Sequence, residues 1–281
     1  MASAPGDRRF PEQHKIKGVA DDYVKTLRGH LAQLDHRVAA EIRPDSSGGA
    51  TVTAIASAAA TAHDPLAAFL IAHRAVATTG ARPVSAAIPD DASLPGQVCE
   101  QLRLTPTGPT PAQAGSIIVT GEVDLVDRCT PMALEDDGDL IYWLGPQPVL
   151  DISAEDVIDE LLIRERKVAE VLVAASRDGL LNAALDVQHG GMATTIAAMA
   201  MLNGVGGRFW TPEQMDVRTA LFDGALGGVI CIVPRTEELR FSDMCIARYL
   251  PVHRVGVVDG TDVQAQDHFV VPIADLIVDT K

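Results

Sequence analysis

Residues 185–192, Leu185-Asp186-Val187-Gln188-His189-Gly190-Gly191-Met192, run on into Ala-Thr-Thr-Ile-Ala-Ala-Met-Ala-Met at 193–201. A short polar loop ends in two glycines, and a smooth apolar helix starts directly after them. Glycine lacks Cβ, so Gly190 and Gly191 can take backbone angles closed to other residues and admit a close neighbour. The first amides of a helix are unpaired and lie at the positive end of its dipole, which makes a cradle for phosphate. Asp186 and His189 flank that cradle and are placed to position a metal or a proton. An alternative stays open: a tight strand-to-helix turn whose glycines serve shape alone.

Outward from this stretch, strands and helices alternate. Val24, Leu27, Leu31, Leu34 and Val38 recur at helical spacing over 22–40, and the polar residues before them read as a loose tail. Thr51–Ile55 alternates like a strand. Pro65–Thr78 predicts an alanine-rich helix, opened by proline and closed near Gly80. Arg82–Ile88 reads as the next strand, Val98–Leu102 as a short helix, and Ser116–Thr120 and Leu140–Leu144 as apolar strands. The acidic run Glu135–Asp139 lacks the alternating oxygens of a calcium loop and reads as a solvated turn. Gly145–Asp151, with two prolines, looks like a linker. Ser153 with Asp156 marks the start of a helix running to about Arg177. Val229–Val233, a helix near Thr236, Arg254–Val258 and Phe269–Pro272 complete the pattern. The expected architecture is α/β with two lobes: a tail at 1–21, a barrel-forming dimerisation lobe at 22–145, and an α/β lobe at 146–281 that carries the diglycine loop.

Composition narrows the partners. The chain has 281 residues, 47% hydrophobic but only 4% aromatic, so aliphatic residues must fill its core. A net charge of −15 argues against nucleic acid or an anionic membrane, both of which need a positive surface. Cys99, Cys129, Cys231 and Cys245 lie far apart without a Cys-x-x-Cys pair, as expected of reduced structural thiols. No apolar run approaches the ~20 residues that span a bilayer, and the N-terminus lacks the apolar centre of a signal peptide. A cytoplasmic location is expected.

Six segments, in order, resemble the second half of small-type phosphoribosylformylglycinamidine synthase, within the aminoimidazole-ribonucleotide-synthetase-like superfamily. Gln33-Leu34-Asp35-His36-Arg37-Val38 is similar to the family's Gln-Tyr-Asp-His segment, and Arg43-Pro44-Asp45-Ser46 stands at its Gly-Ser-Asp turn. His63-Asp64-Pro65-Leu66 and Ala77-Thr78-Thr79-Gly80-Ala81-Arg82-Pro83 resemble its Asp-Pro-Tyr helix and Thr-Gly-Ala-Arg-Pro ending. Gly138-Asp139-Leu140-Ile141-Tyr142-Trp143-Leu144-Gly145 is similar to its Gly-Asp-x-Ile-Tyr-Leu-Leu-Gly strand, residues 185–192 to its His-Asp-Val-Ser-Asp-Gly-Gly-Leu loop, and Leu221-Phe222 with 229–234 to its Leu-Phe-Ser-Glu-Ser approach.

The departures are chemical. Leu185, Gln188 and His189 replace the family's His, Ser and second Asp, and Asp223-Gly224 its Ser and Glu. Ala86-Ala87-Ile88-Pro89-Asp90-Asp91 stands where the family has Asp-Cys-Leu-Asn-Phe-Gly-Asn-Pro. The resemblance implies an ATP-dependent, amidine-forming C–N ligase of purine-type biosynthesis. Such a reaction needs Mg²⁺ on the transferring phosphoryl group and donors to hold it in line. It further implies ATP or ADP at Asp186, Gln188, Gly190, Gly191 and Met192, with metal carboxylates from Asp64, Asp90 and Asp91. His36 and His189 are the acid–base candidates. A truncated or divergent subunit is expected, paired with itself or with a first-half-like subunit, and served by a glutaminase and a small ribonucleotide substrate. Two other readings remain: an inactive scaffold or nucleotide-binding subunit, and a related ATP-dependent step on another amide in a specialised nucleoside pathway.

Overall fold

The computed structural model describes residues 12–33, 38–57, 65–89, 97–108, 115–146, 155–188, 190–213, 215–224 and 227–276. Two sheets organise them. The first has the order β1-β2-β5-β3-β4, from β1 (Ala40–Pro44), β2 (Ala50–Ser57), β3 (Arg82–Ala87), β4 (Thr105–Thr107) and β5 (Ser116–Val123). Its pairs are antiparallel except β3 with β4. The second has seven strands in the order β12-β11-β8-β10-β6-β9-β7. These are β6 (Leu140–Leu144), β7 (Ala183–Asp186), β8 (Gly207–Phe209), β9 (Val229–Val233), β10 (Val252–Val258), β11 (Asp262–Ala265) and β12 (Phe269–Pro272).

The central strands β6 and β9 are continuous apolar runs, Leu-Ile-Tyr-Trp-Leu and Val-Ile-Cys-Ile-Val, buried at every residue. Such runs need cover on both faces, and the period of two divides them. Ile141, Trp143, Ile230 and Ile232 join Met192, Ile196 and Met199 of α5 (Gly191–Asn203) in one core. Leu140, Tyr142, Leu144, Val229, Cys231 and Val233 join Val168 and Leu172 of α4 (Glu155–Arg177) and Phe241 and Cys245 of α7 (Glu238–Ile246) in another. A third core lies between the first sheet and α2 (Pro65–Thr78), where Val52, Ala54, Ile117 and Val119 meet Phe69 and Val76. Two shorter helices, α3 (Val98–Gln101) and α6 (Val217–Phe222), close loops.

The sheets do not divide the sequence at residue 145. β6 is central in the second sheet, so the expected linker follows that sheet's first strand. The helix α1 (Glu12–Leu31) begins inside the stretch read as a tail, and its Leu27 and Leu31 sit in the α5 core rather than against the first sheet. Tyr23 of α1 packs its ring 5.8 Å from that of Phe222 and edge-on to His268. α4 belongs to both halves: Leu162 joins the first-sheet core, and Val168 and Leu172 the second. The proposed cap at Ser153 lies outside the described residues.

The four cysteines are free, with Cys231 and Cys245 buried, and burial pushes the Cys245 thiol up to about 12. These are packing residues rather than reactive ones. Among the described residues no helix is long and apolar enough to cross a membrane.

On α2, His73 is buried and its Nδ1 has no hydrogen-bond partner among the described residues. Burial, helped by the Arg74 charge, pushes the ring's pKa from 6.5 down to about 3. The unfolded chain therefore takes up this proton first as pH falls. The stability is complete above pH 6.5 and declines between 6.5 and 3, by about 2 kcal/mol at pH 5. Glu165, whose pKa is raised, acts in the opposite sense, so the measurement is a difference. Denaturant melts at pH 7.5 and 5 should show the wild type losing this much more than His73→Gln; equal losses would contradict the assignment.

Candidate functional site

β7 is the edge strand of the second sheet, paired with β9 from Ala183 to Asp186. The ladder continues one step, with the Val187 amide donating to the Gly228 carbonyl at 2.9 Å. The chain then turns. Gly190, at φ +92°, is the N-cap of α5, and the Gly191 amide donates back to the Gln188 carbonyl at 3.0 Å. The expected diglycine turn and helix are therefore present, and the stretch read as a polar loop begins as the end of strand β7. α5 is apolar all round and buried along most of its length, with Leu202 and Asn203 exposed at its end, as befits a helix packed between layers.

Both glycines are required by shape. A Cβ on Gly191 would lie 2.6 Å from the Leu221 carbonyl oxygen, and one on Gly190 would meet Thr194 Oγ1 at 2.6 Å and His30 Cβ at 2.9 Å. The end of α6 thus presses on one glycine and the end of α1 on the other. Thr194, in the first turn of α5, is fully buried, and its hydroxyl has no hydrogen-bond partner among the described residues.

Asp186 is 1% exposed, and its Oδ1 accepts from Gln188 Nε2 at 3.1 Å. Gln188 also pairs with the main chain of Val38, accepting from its amide at 3.0 Å and donating to its carbonyl at 2.9 Å. One carboxamide therefore imitates a neighbouring strand and pins the approach to β1 onto the turn. Nearby, Arg74 of α2 and Glu165 of α4 form a buried ion pair at 2.8 Å. Burial raises the Glu165 pKa more than Arg74 lowers it, and the Asp186 charge adds to the rise. Gly227, at φ +56°, leaves room for the Arg74 guanidinium, and its carbonyl accepts from Trp143 Nε1 at 3.0 Å. The turn thus rests on a buried polar cluster at the seam between the sheets.

Of the residues expected at the site, Asp186, Gln188, Gly190, Gly191 and Met192 share this turn. The Met192 side chain is wholly buried in the α5 core, which leaves only its main chain for a ligand. His36, Asp64, Asp90, Asp91 and His189 lie outside the described residues. Arg74, Glu165 and Thr194 escaped the sequence reading. The one usable signal was a His73-Arg74 pair inside an otherwise apolar helix.

No protein-family model matches the chain. It is 34% identical over 314 aligned residues to the phosphoribosylformylglycinamidine synthase subunit PurL of Streptomyces avermitilis, across 95% of the chain and 41% of that protein. The chain therefore spans about two-fifths of the length of this curated relative. Among solved structures, Thermotoga maritima PurL complexed with ATP superposes with a TM-score of 0.70 at 14% identity, covering 92% of this chain and 52% of that one. PurLQS from the same organism gives 0.67 at 14%, covering 95% and 52%. Thiamine-monophosphate kinase from Stenotrophomonas maltophilia gives 0.58 at 15%, covering 87% of this chain and 96% of that one. At these identities the structural likeness is one of fold, a mixed α/β architecture with two sheets.

Proposed function

We propose that this chain, whose sequence homologues are PurL subunits of phosphoribosylformylglycinamidine synthase, is a nucleotide-binding subunit of an ATP-dependent, amidine-forming ligase. The observation that carries the reading is the turn at 186–192: a left-handed Gly190 opening a buried thirteen-residue helix. The first amides of such a helix suit phosphate oxygens, and the buried Thr194 hydroxyl adds a donor in the same turn. Asp186 would act as a positioning residue, holding Gln188 and through it Val38.

Magnesium prefers oxygen ligands, one or two carboxylates beside substrate phosphates and water. Among the described residues no group of three or more His, Cys, Asp and Glu side chains could hold a metal ion. The turn itself offers one carboxylate, Asp186, already engaged by Gln188. The described residues do not make a magnesium site by themselves, and the phosphate contacts proposed are made by the protein alone.

A subunit of this kind would work with a partner, either a second copy or a first-half-like chain, with ammonia supplied by a glutaminase. One face of the first sheet supports this reading. Val52, Ala54 and Ala56 of β2 are buried on one face while Thr51 and Ile55 on the other are exposed. An uncovered sheet face that exposes Ile55 is suited to a protein contact.

The scaffold reading also has an observation in its favour. Gln188 is spent on Val38, and His30 closes over Gly190, so the turn already serves as a clasp. Calorimetric titration with ADP separates the two. The ligase reading expects binding that weakens about tenfold, or ~1.4 kcal/mol, in Thr194→Val and in Asp186→Asn, with unchanged circular dichroism. No heat from the wild type at millimolar ADP would leave the scaffold reading alone standing.

A further inference from the structure

Among the described residues, the three most exposed large hydrophobic side chains lie within one short stretch: Leu239 at 78%, Ile246 at 62% and Tyr249 at 90%. Single exposed apolar residues need no explanation, but a group of three does. The geometry of α7 accounts for the grouping. Phe241 and Cys245 point inward and share a core with Leu250 just beyond the helix end. Leu239 and Ile246, seven residues apart, lie together on the opposite face, with the exposed Asp243 between them.

Tyr249 adds a second anomaly. The Leu250 amide donates to the Cys245 carbonyl at 3.1 Å and the Tyr249 amide to the Ile246 carbonyl at 2.9 Å. This is the C-terminal helix closure in which glycine is favoured at the left-handed residue. Tyrosine holds that place here at φ +56°, whereas at the end of α4 Gly179 fills it at φ +70°. Packing within the chain does not explain the choice, since the side chain is almost fully exposed. A large ring is kept where the backbone favours glycine and where no described residue covers it.

Together the three residues present roughly 400 Å² of largely apolar surface, the scale on which a patch marks a protein contact. That is about half of the ~800 Å² that each side gives to a stable complex. The neighbouring cations are engaged within the chain. Arg240 lies 2.7 Å from Glu237, Arg254 lies 3.5 Å from Glu238, and Arg248 Nη1 donates to the Met244 carbonyl at 3.1 Å. Asp243 is left as the charge between the apolar groups.

We propose that this face pairs with the same face of a second copy of the chain, the two α7 helices antiparallel about a two-fold axis at Ile246. A two-fold contact must be self-complementary, and this register is. A helix rises 1.5 Å per residue, so Asp243 lies about 4.5 Å to one side of Ile246 and Leu239 about 10.5 Å. Ile246 then meets Ile246, and the Tyr249 hydroxyl donates to Asp243 of the other copy. Leu239 covers the other copy's half-buried Pro251 and Val252. An axis at Asp243 would instead oppose two carboxylates. Each chain carries a net charge of −15, so two copies repel at low salt and associate more tightly as salt screens them. The contact shares no residue with the exposed first-sheet face or with the turn at 186–192, and it does not depend on how either is read.

The test is sedimentation equilibrium of the full chain at low and at physiological salt. The wild type should form a dimer with a micromolar dissociation constant, tighter at physiological salt. Tyr249→Gly should weaken the dimer at least tenfold. Its melting temperature, taken on dilute monomeric protein, should hold or rise, because glycine suits that backbone; this variant separates association from folding. Ile55→Asp, on the first sheet, should leave the dimer intact. Under mild oxidation Ile246→Cys should cross-link two copies, whereas Leu239→Cys should not, since roughly 20 Å separates the two positions across the axis. A wild type that stays monomeric at high micromolar concentration, leaving the face to an unlike partner, would overturn the proposal. So would a wild-type dimer constant in a fully folded Tyr249→Gly, or cross-linking at Leu239 in place of Ile246.

Discussion

Replacing Glu165 with alanine should lower the stability of the fold by about 3–5 kcal/mol, the largest single effect expected among the positions discussed. The Arg74 and Glu165 side chains are 10% and 5% exposed, so the substitution strands a guanidinium away from water. The cost arises from that orphaned charge rather than from a strongly favourable bond. Burial already raises the Glu165 pKa despite the attraction of Arg74, which says that desolvation outweighs the pairing. The double variant Arg74→Met/Glu165→Leu should therefore recover most of the loss, since apolar replacements of similar volume for a buried pair are often neutral or better. Urea melts of the single and double variants measure both. A double variant as unstable as Glu165→Ala would mean that the pair itself holds the sheets together.

The second large effect is expected at Gly191→Ala, at about 2–5 kcal/mol. The residue sits at φ +68°, a conformation that costs an L side chain about 1–2 kcal/mol. The new Cβ would also meet three backbone atoms of the α6 end: the Leu221 oxygen at 2.6 Å, the Phe222 carbon at 2.7 Å and the Asp223 nitrogen at 2.8 Å. Backbone cannot rotate aside as a side chain can, so α6 must shift, with an overpacking cost of about 1–3 kcal/mol. Gly179→Ala isolates the first contribution, because that glycine is also left-handed, at φ +70°, but has nothing within 4 Å of its Cβ position. Melts showing equal losses for the two would mean that α6 yields freely.

The elements legible in the sequence were those whose own residues demand them. Pro65–Thr78, Leu140–Leu144, Val229–Val233 and Phe269–Pro272 emerged at the expected bounds, being long or strongly apolar runs with breakers beside them. β1, β4, β8 and β11 were not anticipated. Thr105–Thr107 is three exposed residues made a strand by its neighbour β3, and Gly207–Phe209 is defined by β10 and β11 on either side. The diglycine turn was readable because positive φ singles out glycine. The Arg74–Glu165 pair was not, since the two residues lie 91 positions apart and meet only through the packing of α2 on α4. β7 was read as part of a polar loop, although Asp186 ends a strand and points into a buried cluster.

The way α4 touches both sheets has a consequence for how this architecture can be cut and recombined. A graft of the first sheet onto another protein, spliced at the proline-rich seam near 146, would carry away β6 and leave its seven-stranded partner split between β9 and β10. It would also carry α1 away from the α5 core in which its Leu27 and Leu31 are packed. The smallest exchangeable module is therefore the pair of sheets with their shared rod, inherited or transplanted whole.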